Sequence, residues 1–451
     1  MELKKFARGA RSICALGLIS LFVAACDDNN NPPGAATTPP PVAAVSPAGQ
    51  SLVGVDPVNN TVWVPIDTLD GSGNLQFTIV NQSDVTPAIA KATAVKPNAT
   101  GTGHRISLNK CTRAEAITYD ANDKEFLIEC VDNSGNVFVE IANTPSDTTQ
   151  IVVNGIQATG IDAGRGGIIY NPNTKVAVVA GLSTIGLLDM TTATPSFESN
   201  SVVSTVCTDS LSLNFTTQLL FIACDGHHET IDTSSTARPL VAVAFPTLPD
   251  QGGGYPYAIT DGNAFDSNTN LIVVTPEFEN VAFVLNFNGA SQTPASAPYI
   301  VVQGLGFTGP VGEGPGGQAV MNTTTHQALI ADEEGQNFWL LQLPMATVTG
   351  NLNNNGQPGS GTTADASSAY AIAAAVTPQV GGNQLLIRGD PAALGIDQVH
   401  NIGYMLADGG SNLYLVAVDL SNPPIGGCAQ GVTAPGCTSV WTPKSAAVPL
   451  N

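Results

Sequence analysis

The sequence predicts an all-β chain folded as a seven-bladed β-propeller. Seven times, a short apolar run leads to an Asp or Asn, then to a polar turn and a β-rich run, and most gaps measure 43 to 64 residues. Repeats of roughly 40 to 50 residues built from short strands are typical of propeller blades. Charged residues make up only 11% of the chain, which favours short strands and tight turns over solvated helices. The seven anchor residues are Asp56, Asp120, Asn171, Asn214, Asp266, Asn322 and Asp397.

Residues 1–25 have the pattern of a secretory signal peptide. Four basic residues precede an apolar run from about Ile13 to Ala25, and that run is shorter than the roughly 20 residues that a membrane-spanning helix needs. It ends in Val23-Ala24-Ala25-Cys26, which resembles the bacterial lipoprotein box. The resemblance implies cleavage before Cys26 and acylation of its thiol, for example by palmitate. An ordinary secretory signal with an incidental cysteine is the alternative.

Residues 26–49 are rich in Pro, Asn and Thr and lack apolar periodicity, so we expect a disordered tether. Without residues 1–25 the chain keeps 11 of its 15 Lys and Arg and 35 of its 36 Asp and Glu, a formal charge near −24. Such a surface repels phosphate backbones, which excludes nucleic acid as a partner. Attachment to the membrane must then come from the lipid on Cys26. We expect a lipid-anchored protein of the cell membrane that faces the periplasm or the cell exterior, with the choice of inner or outer membrane left open.

Six cysteines remain beyond Cys14 and Cys26, and they fall into local pairs. Two pairs flank the first hairpins of the second and fourth blades at similar spacings, as cross-strand disulfides require. Disulfides fit an oxidising compartment outside the cytoplasm. A zinc site is the alternative, but the chain has no CxxC motif. The predicted disulfides are Cys111–Cys130, Cys207–Cys224 and Cys428–Cys437.

Residues 50–451 are assigned to the propeller, with four strands per blade that we name A to D from the channel outward. In the fifth blade NAFD, LIVVT and VAFVLNF are the first three strands. Fourth strands are less regular along the chain, and TTQIVVNG and APYIVVQG are the clearest of them. The pattern predicts no helix of ten or more residues. A low-complexity insertion at about 347–379 explains the long last gap, and its 367–376 part is expected to form a turn or two of helix.

Two stretches, NPNTKVAVVAGLSTIGLLDM and DSNTNLIVVTPEFENVAFVLNF, carry a family resemblance. They resemble the surface-layer and lactonase type (YVTN-like) of propeller repeat, in which an Asp/Asn-Pro-like turn precedes a β-run. The resemblance covers about 50–451 and implies a propeller fold. For the enzymatic branch of that family it implies a lactonase-like activity at a site over the channel.

Carboxylates recur in the turns between strands B and C, which share one face of a propeller with the loops leading into strand A. Hard oxygen ligands on one face are suited to Ca²⁺, the one cofactor that the pattern suggests. Ordinary turn chemistry is the alternative, because DNSGN, DEEGQN and DGGSN are typical hairpin turns. These acids are Asp132, Asp225, Glu277, Asp332 and Asp408.

The densest group of metal-binding side chains is Asp225, His227, His228 and Glu229. Imidazole and carboxylate together suit Zn²⁺ or a similar ion. Adjacent residues of a strand point to opposite faces, so both histidines serve one metal only if a turn lies there. Surface histidines without a metal are the alternative.

The leading functional prediction is a binding or scaffold protein of the cell envelope that holds a protein or a small molecule at a propeller face. A lactonase-like or other metal-dependent hydrolase is the alternative, and a cofactor-binding redox propeller is a third reading. The sequence leaves the catalytic residues, if any, unknown. No GxSxG, HExxH or CxxCH motif is present, which excludes those hydrolase signatures and covalent c-type haem.

Overall fold

The structure is a computed structural model of the chain. Within the described ranges no helix is long and apolar enough to cross a membrane. The predicted signal peptide, Cys26 and the tether lie outside those ranges. The described residues are 52–91, 104–143, 150–153, 167–181, 184–198, 203–204, 210–224, 227–234, 240–242, 260–276, 281–286, 299–303, 319–331, 338–343, 352–354, 372–387, 394–410, 412–421, 427–428, 439–440 and 443–450.

The described residues form seven sheets of four or five strands, and within each the strands A, B and C pair antiparallel in that order. The first sheet contains β1 (Gly54–Asp56), β2 (Thr61–Leu69), β3 (Leu75–Asn81) and β4 (His104–Ser107); the second contains β5 (Arg113–Asp120), β6 (Glu125–Val131), β7 (Val137–Asn143) and β8 (Gln150–Val153). The third contains β9 (Gly167–Asn171), β10 (Val176–Ala180), β11 (Thr184–Asp189), β12 (Ser196–Phe197) and β13 (Val203–Ser204); the fourth contains β14 (Ser210–Asn214), β15 (Leu219–Cys224), β16 (His227–Asp232) and β17 (Leu240–Ala242).

The last three sheets continue the same pattern, with additions at their edges. The fifth contains β18 (Thr260–Asp266), β19 (Leu271–Pro276), β20 (Val281–Asn286), β21 (Tyr299–Gln303) and, parallel to β21, β25 (Leu352–Asn354); the sixth contains β22 (Ala319–Asn322), β23 (Gln327–Ala331), β24 (Phe338–Gln342) and β26 (Ile372–Val376). The seventh contains β29 (Leu386–Ile387), β30 (Leu394–Asp397), β31 (Ile402–Asp408), β32 (Leu413–Asp419) and β35 (Ser445–Pro449); β27 (Gln379–Val380) with β28 (Asn383–Gln384), and β33 (Gly427–Cys428) with β34 (Ser439–Val440), form two-stranded ribbons.

The innermost strands follow one another in a closed cycle. Strand β1 contacts β5, the contacts then run through β9, β14, β18, β22 and β30, and β30 contacts β1 again. Each sheet is too thin to bury both of its faces alone, so adjacent sheets supply the core for each other. The prediction of an all-β propeller is confirmed.

Side chains from neighbouring sheets fill the space between them. Trp63 of β2 and Phe126 of β6 meet with ring centroids 4.7 Å apart, and Phe221 of β15 meets Phe265 of β18 at 6.3 Å. All four side chains are buried. Centroid separations of 4.5–7 Å are those that aromatic pairs favour. Aromatic packing across these junctions therefore helps to hold one sheet against the next.

The prediction that no helix of ten residues would appear is wrong. Helix α1 (Gln82–Lys91) follows β3 directly and packs against β32 and β35 of the seventh sheet. Asp84 lies in its first turn, where a carboxylate interacts favourably with the helix dipole. Its β-branched Val85 and Thr86 favour a strand in isolation, but the contacts with another sheet decide the conformation.

The expected helical turn at 367–376 is also wrong where the structure describes it. Residues Ile372–Val376 form β26, which pairs antiparallel with β24 over five residues and completes the sixth sheet. Alanines in this segment favour a helix locally. Strand β24, however, offers a row of backbone donors and acceptors, and pairing with β26 satisfies them. The proposed insertion at 347–379 therefore contributes strand β26, and β25, to two sheets.

Cys111 and Cys130 form a disulfide with a Cα–Cα distance of 5.3 Å, as predicted. It ties the residues before β5 to the end of β6. Of the other two predicted pairs, Cys207 and Cys437 lie outside the described residues, so those pairings stay predictions.

Candidate functional site

The described B–C turns use their carboxylates to cap themselves. Asp132 Oδ1 accepts hydrogen bonds from the Ser134 and Asn136 amides at 2.8 and 2.9 Å, and its Oδ2 accepts one from Asn136 Nδ2 at 2.8 Å. Gly135 completes the turn with φ of 79°, which suits glycine. The side-chain hydrogen bond from Asn136, with the amide bonds, holds the pKa of Asp132 below its ordinary value. Asp132 is thus a charged turn cap.

The first sheet repeats this turn with the same D-x-S-G-N letters. Asp70 Oδ1 accepts from the Ser72 and Asn74 amides at 2.8 and 3.0 Å, and Gly73 has φ of 84°. The seventh sheet has a variant in which Asp408 Oδ1 accepts from the Gly410 amide at 2.6 Å. In the B–C turns that the structure describes, the acids therefore serve the turn-forming role that was the alternative to metal binding.

The remaining predicted metal ligands are only partly described. His227 and His228 are the first two residues of strand β16 and pair with Cys224 and Ala223 of β15, so the turn needed to bring both to one ion does not lie at these residues. Glu229, next in that strand, is partly exposed. Asp225, Glu277 and Asp332 lie outside the described residues, and their role stays a prediction.

A pair of acids that the sequence analysis missed lies where β5 begins and β6 ends. The β5–β6 register shifts between Ala114 and Ala116, which leaves Glu115 as a bulge. Glu115 Oε1 accepts from Arg113 Nε at 2.6 Å. Glu129 is 1% exposed, and burial, with the charge of Glu115, raises its pKa well above the ordinary value.

This arrangement places a buried carboxyl with a raised pKa close to an arginine-paired carboxylate. Carboxyls whose environments separate their pKa values are typical of acid–base pairs, although buried structural acids show the same shift. Bulges are also common next to active sites. The sequence signal was Glu129 inside the otherwise apolar run EFLIECV.

The A–B turns on the opposite face repeat one geometry in all seven sheets. Each anchor residue is no more than 2% exposed, and its side-chain oxygen accepts from the amide two residues later. Four residues after the anchor, each turn has a residue with φ between 55° and 62°, unusual without glycine. These residues are Asn60, Lys124, Lys175, Gln218, Asn270, His326 and Asn401.

The same turns are joined across sheet junctions. Asn214 Nδ2 donates to Asn270 Oδ1 of the next sheet at 2.9 Å, and Asn322 Nδ2 donates to Asn401 Oδ1 at 3.0 Å. Asp266 Oδ2 lies 2.6 Å from His326 Nδ1, and this hydrogen bond raises the pKa of His326. The anchors thus connect neighbouring sheets as well as shaping their own turns.

The A–B turn of the second sheet adds a compact acidic cluster. Ligand oxygens of Asp120, Asp123 and Glu125 lie within 4.8 Å of one another. Burial raises the pKa of Asp120 to about 6, against the opposing amide bonds from Asp123 and Asn122. Burial and then the charges of Asp120 and Asp123 raise the pKa of Glu125 to about 7. The cluster thus brings together two buried carboxyls, Asp120 and Glu125, and one exposed carboxyl, Asp123.

No family model and no curated protein matches the chain. Among solved structures it is similar to the β-propeller domain of Cps50 (Swd1) from Myceliophteria thermophila, with 8% identity over 70% of this chain and 86% of that chain and a TM-score of 0.40. It is similar to the periplasmic gluconolactonase of Pseudomonas aeruginosa, with 10% identity over 65% and 81% and a TM-score of 0.44. A putative 6-phosphogluconolactonase from Bacteroides fragilis has 9% identity over 66% and 82% and a TM-score of 0.43.

These similar structures are propellers, and two of the three are named as lactonases. With TM-scores of 0.40–0.44, these similarities add nothing to the propeller fold that the strands themselves show. Identities of 8–10% assign no activity to this chain.

Proposed function

We propose that the chain is a lipid-anchored, extracytoplasmic binding or scaffold protein of the cell envelope, which holds its partner on the face formed by the B–C turns. The observation that carries this proposal is that the described acids on that face accept hydrogen bonds within their own turns. Asp70 and Asp132 are each capped by two amides and one asparagine side chain of their own turn. A rigid face of such turns is suited to docking, since little conformational entropy is lost on binding.

The location rests on the sequence. Cys26 follows the predicted signal peptide and small residues, and residues 26–49 would hold the propeller away from the bilayer. The Cys111–Cys130 disulfide supports an oxidising compartment. A periplasmic or extracellular scaffold is consistent with both.

The test is recovery of a partner from detergent-solubilised envelope with a tagged full chain. Asn133→Arg places a bulky charge on an exposed position of the B–C turn of the second sheet. We expect this variant to recover at least tenfold less partner than the native chain. Ala193→Arg is the matched control, because Ala193 is equally exposed but follows β11 on the opposite face. Equal recovery with Asn133→Arg would show that the B–C face is not the docking surface.

A second candidate function is hydrolysis, and the Glu115–Glu129 pair favours it. Glu129 would act as a general acid, because burial raises its pKa and so favours the protonated form that a general acid needs. Lactones are the substrates to assay first. If the pair is catalytic, Glu129→Gln abolishes turnover while the chain stays folded and still recovers its partner. Turnover that survives in Glu129→Gln would remove this role.

A further inference from the structure

The seven A–B turns supply an internal comparison for the acidic cluster of the second sheet. What the turn itself requires is present in every sheet: a buried Asp or Asn as anchor and a left-handed residue four positions later. Acids at the third and fifth positions after the anchor are not part of this requirement. The third positions elsewhere are Asn59, Thr174, Thr217, Thr269, Thr325 and His400, and the fifth are Thr61, Val176, Leu219, Leu271, Gln327 and Ile402.

Asp120 also differs from the other six anchors in the hydrogen bonding of its second polar side-chain atom, which is Oδ2 in Asp and Nδ2 in Asn. Asp56 Oδ2 accepts from Asn59 Nδ2 at 2.7 Å, and Asp397 Oδ2 lies 2.8 Å from His400 Nδ1. In the remaining four anchors the second polar atom of the side chain bonds to the left-handed residue of the following sheet. These pairs are Asn171 with Gln218, Asn214 with Asn270, Asp266 with His326, and Asn322 with Asn401.

Asp120 Oδ2, by contrast, is buried without a hydrogen-bond partner. The Tyr170 hydroxyl of the third sheet interacts with the Asp120 carboxylate and lowers its pKa, and this hydroxyl accepts a hydrogen bond from Asn122 Nδ2 at 2.6 Å. An unpartnered buried carboxylate oxygen is costly unless another group neutralises it. Two further carboxylates, those of Asp123 and Glu125, lie close to Asp120 and increase this cost.

We propose that Asp120, Asp123 and Glu125 bind one Ca²⁺ ion. Three oxygens at the full separation of 4.8 Å would each lie about 2.8 Å from a central cation, so only a small inward shift of these side chains brings them within the 2.3–2.6 Å range of Ca²⁺. The donor set contains only carboxylates, which favours a hard cation over Zn²⁺. Asp123 is exposed, so the ion has access from solvent and water completes its coordination.

The position of the site couples the ion to the assembly of the propeller. Asn122, inside the same turn, donates through Nδ2 to the Tyr170 hydroxyl at 2.6 Å and to the Pro172 carbonyl at 3.1 Å, both in the third sheet. A cation on Asp120 therefore fixes the turn that joins the second sheet to the third. The site lies on the face opposite the B–C turns, so it is independent of the proposed docking surface.

The test is a calorimetric titration of the chelator-treated full chain in detergent with CaCl₂ at pH 7.5 and 150 mM NaCl. We expect one ion per chain with a dissociation constant on the order of 10⁻⁴ M, as in extracellular calcium modules. At ten times that concentration the melting temperature should rise by about 2 °C.

Three variants borrow residues that the repeat already uses at the same positions, so each should fold. They are Asp120→Asn, as at Asn171; Asp123→Thr, as at Thr174; and Glu125→Gln, as at Gln327. Each should lower the affinity at least tenfold and remove the thermal shift. Asp132→Asn is the control, since it removes the same charge from a B–C turn and should leave binding unchanged.

Two results would overturn the inference. The first is an absence of stoichiometric Ca²⁺ binding by the native chain. The second is loss of binding in Asp132→Asn with retention in Asp120→Asn and Glu125→Gln, which would move the ion to the opposite face.

Discussion

Two glutamates of the second sheet are almost fully buried. Glu129 and Glu140 are both no more than 1% exposed, and each has one side-chain oxygen without a hydrogen-bond partner. Glu140 Oε1 accepts from the Asn109 amide at 2.6 Å, in the segment that leads from the first sheet to the second. Burial nevertheless raises the pKa of Glu140 to about 7. The folded protein thus favours the neutral form of this side chain.

This shift predicts that Glu140 destabilises the protein as the pH rises. Below about pH 4.5 the carboxyl is protonated in both states; between 4.5 and 7 the unfolded state loses the proton first, so the free energy of unfolding falls with pH. Glu140→Gln keeps an acceptor for Asn109 and cannot ionise. We expect it to be about 2–3 kcal/mol more stable than the native chain at pH 8 and nearly equal at pH 4.5, as measured by urea unfolding.

The matched control is Glu198→Gln, the same substitution at a partly exposed position. If the free energy of unfolding of Glu140→Gln kept the pH dependence of the native chain, ionisation of Glu140 would not be the cause of that dependence.

At the scale of single elements, the A–B turn is the repeated unit of this chain. The anchor is always Asp or Asn because its side-chain oxygen accepts hydrogen bonds from amides that a tight turn leaves unpaired. The turn requires a left-handed backbone four residues after the anchor whatever the side chain. Lys124, Lys175 and Gln218 therefore adopt positive φ, although glycine or asparagine would do so at a lower energetic cost. The sequence analysis identified the anchors, but the left-handed residues have no common letter that would reveal them.

The first hairpin of the second sheet is the element in which covalent chemistry adds to packing. Cys111 and Cys130 are separated by 19 residues and are fully buried. Closing a loop of this length in the unfolded chain is worth about 3 kcal/mol in the chain-entropy description. Cys111→Ala/Cys130→Ala should therefore lose about 3 kcal/mol in guanidinium unfolding under oxidising conditions.

Cys130→Ala alone should lose nearly as much, because either change breaks the cross-link. A double variant within about 0.5 kcal/mol of the native chain would show that the bond contributes little to stability.

At the scale of the whole molecule, closure of the ring depends on packing between the first and seventh sheets. In the part of the chain that the structure describes, no sheet combines strands from both ends of the chain. The junction instead uses the contact of β1 with β30, the packing of α1 on β32 and β35, and a buried hydrogen bond from Gln82 Nε2 to Asp397 Oδ2.

At this junction Gly395 lies very close to Val53, and a single substitution can test this contact. A Cβ at Gly395 would lie 2.7 Å from both Cγ1 and the carbonyl oxygen of Val53, so the backbone itself must move. Gly395→Ala should destabilise the chain by about 1–3 kcal/mol in urea unfolding. Gly71→Ala is the control, because no heavy atom lies within 4 Å of a Cβ there. Equal stability of the two variants would mean that closure does not depend on this contact.

Much of the fold was determined by the sequence alone, because its causes are local. The anchors cap their own turns and the β-branched runs pair with their neighbours along the chain, so the propeller, the Cys111–Cys130 pair and the strands at Gln150–Val153 and Tyr299–Gln303 were all predictable. Helix α1 and strand β26 were not, since each takes its conformation from a sheet that its own letters do not reveal.

The sites divide in the same way. The acids of the B–C turns were visible in the sequence, but only the tertiary structure shows that Oδ1 of Asp132 and Oδ1 of Asp408 accept hydrogen bonds from nearby backbone amides. Asp120 was visible as an anchor, yet the tertiary structure decided that its second oxygen is buried without a partner beside Asp123 and Glu125. The physical reason is that a local pattern fixes which groups are present, whereas burial and the approach of neighbouring sheets fix which of them stay unsatisfied.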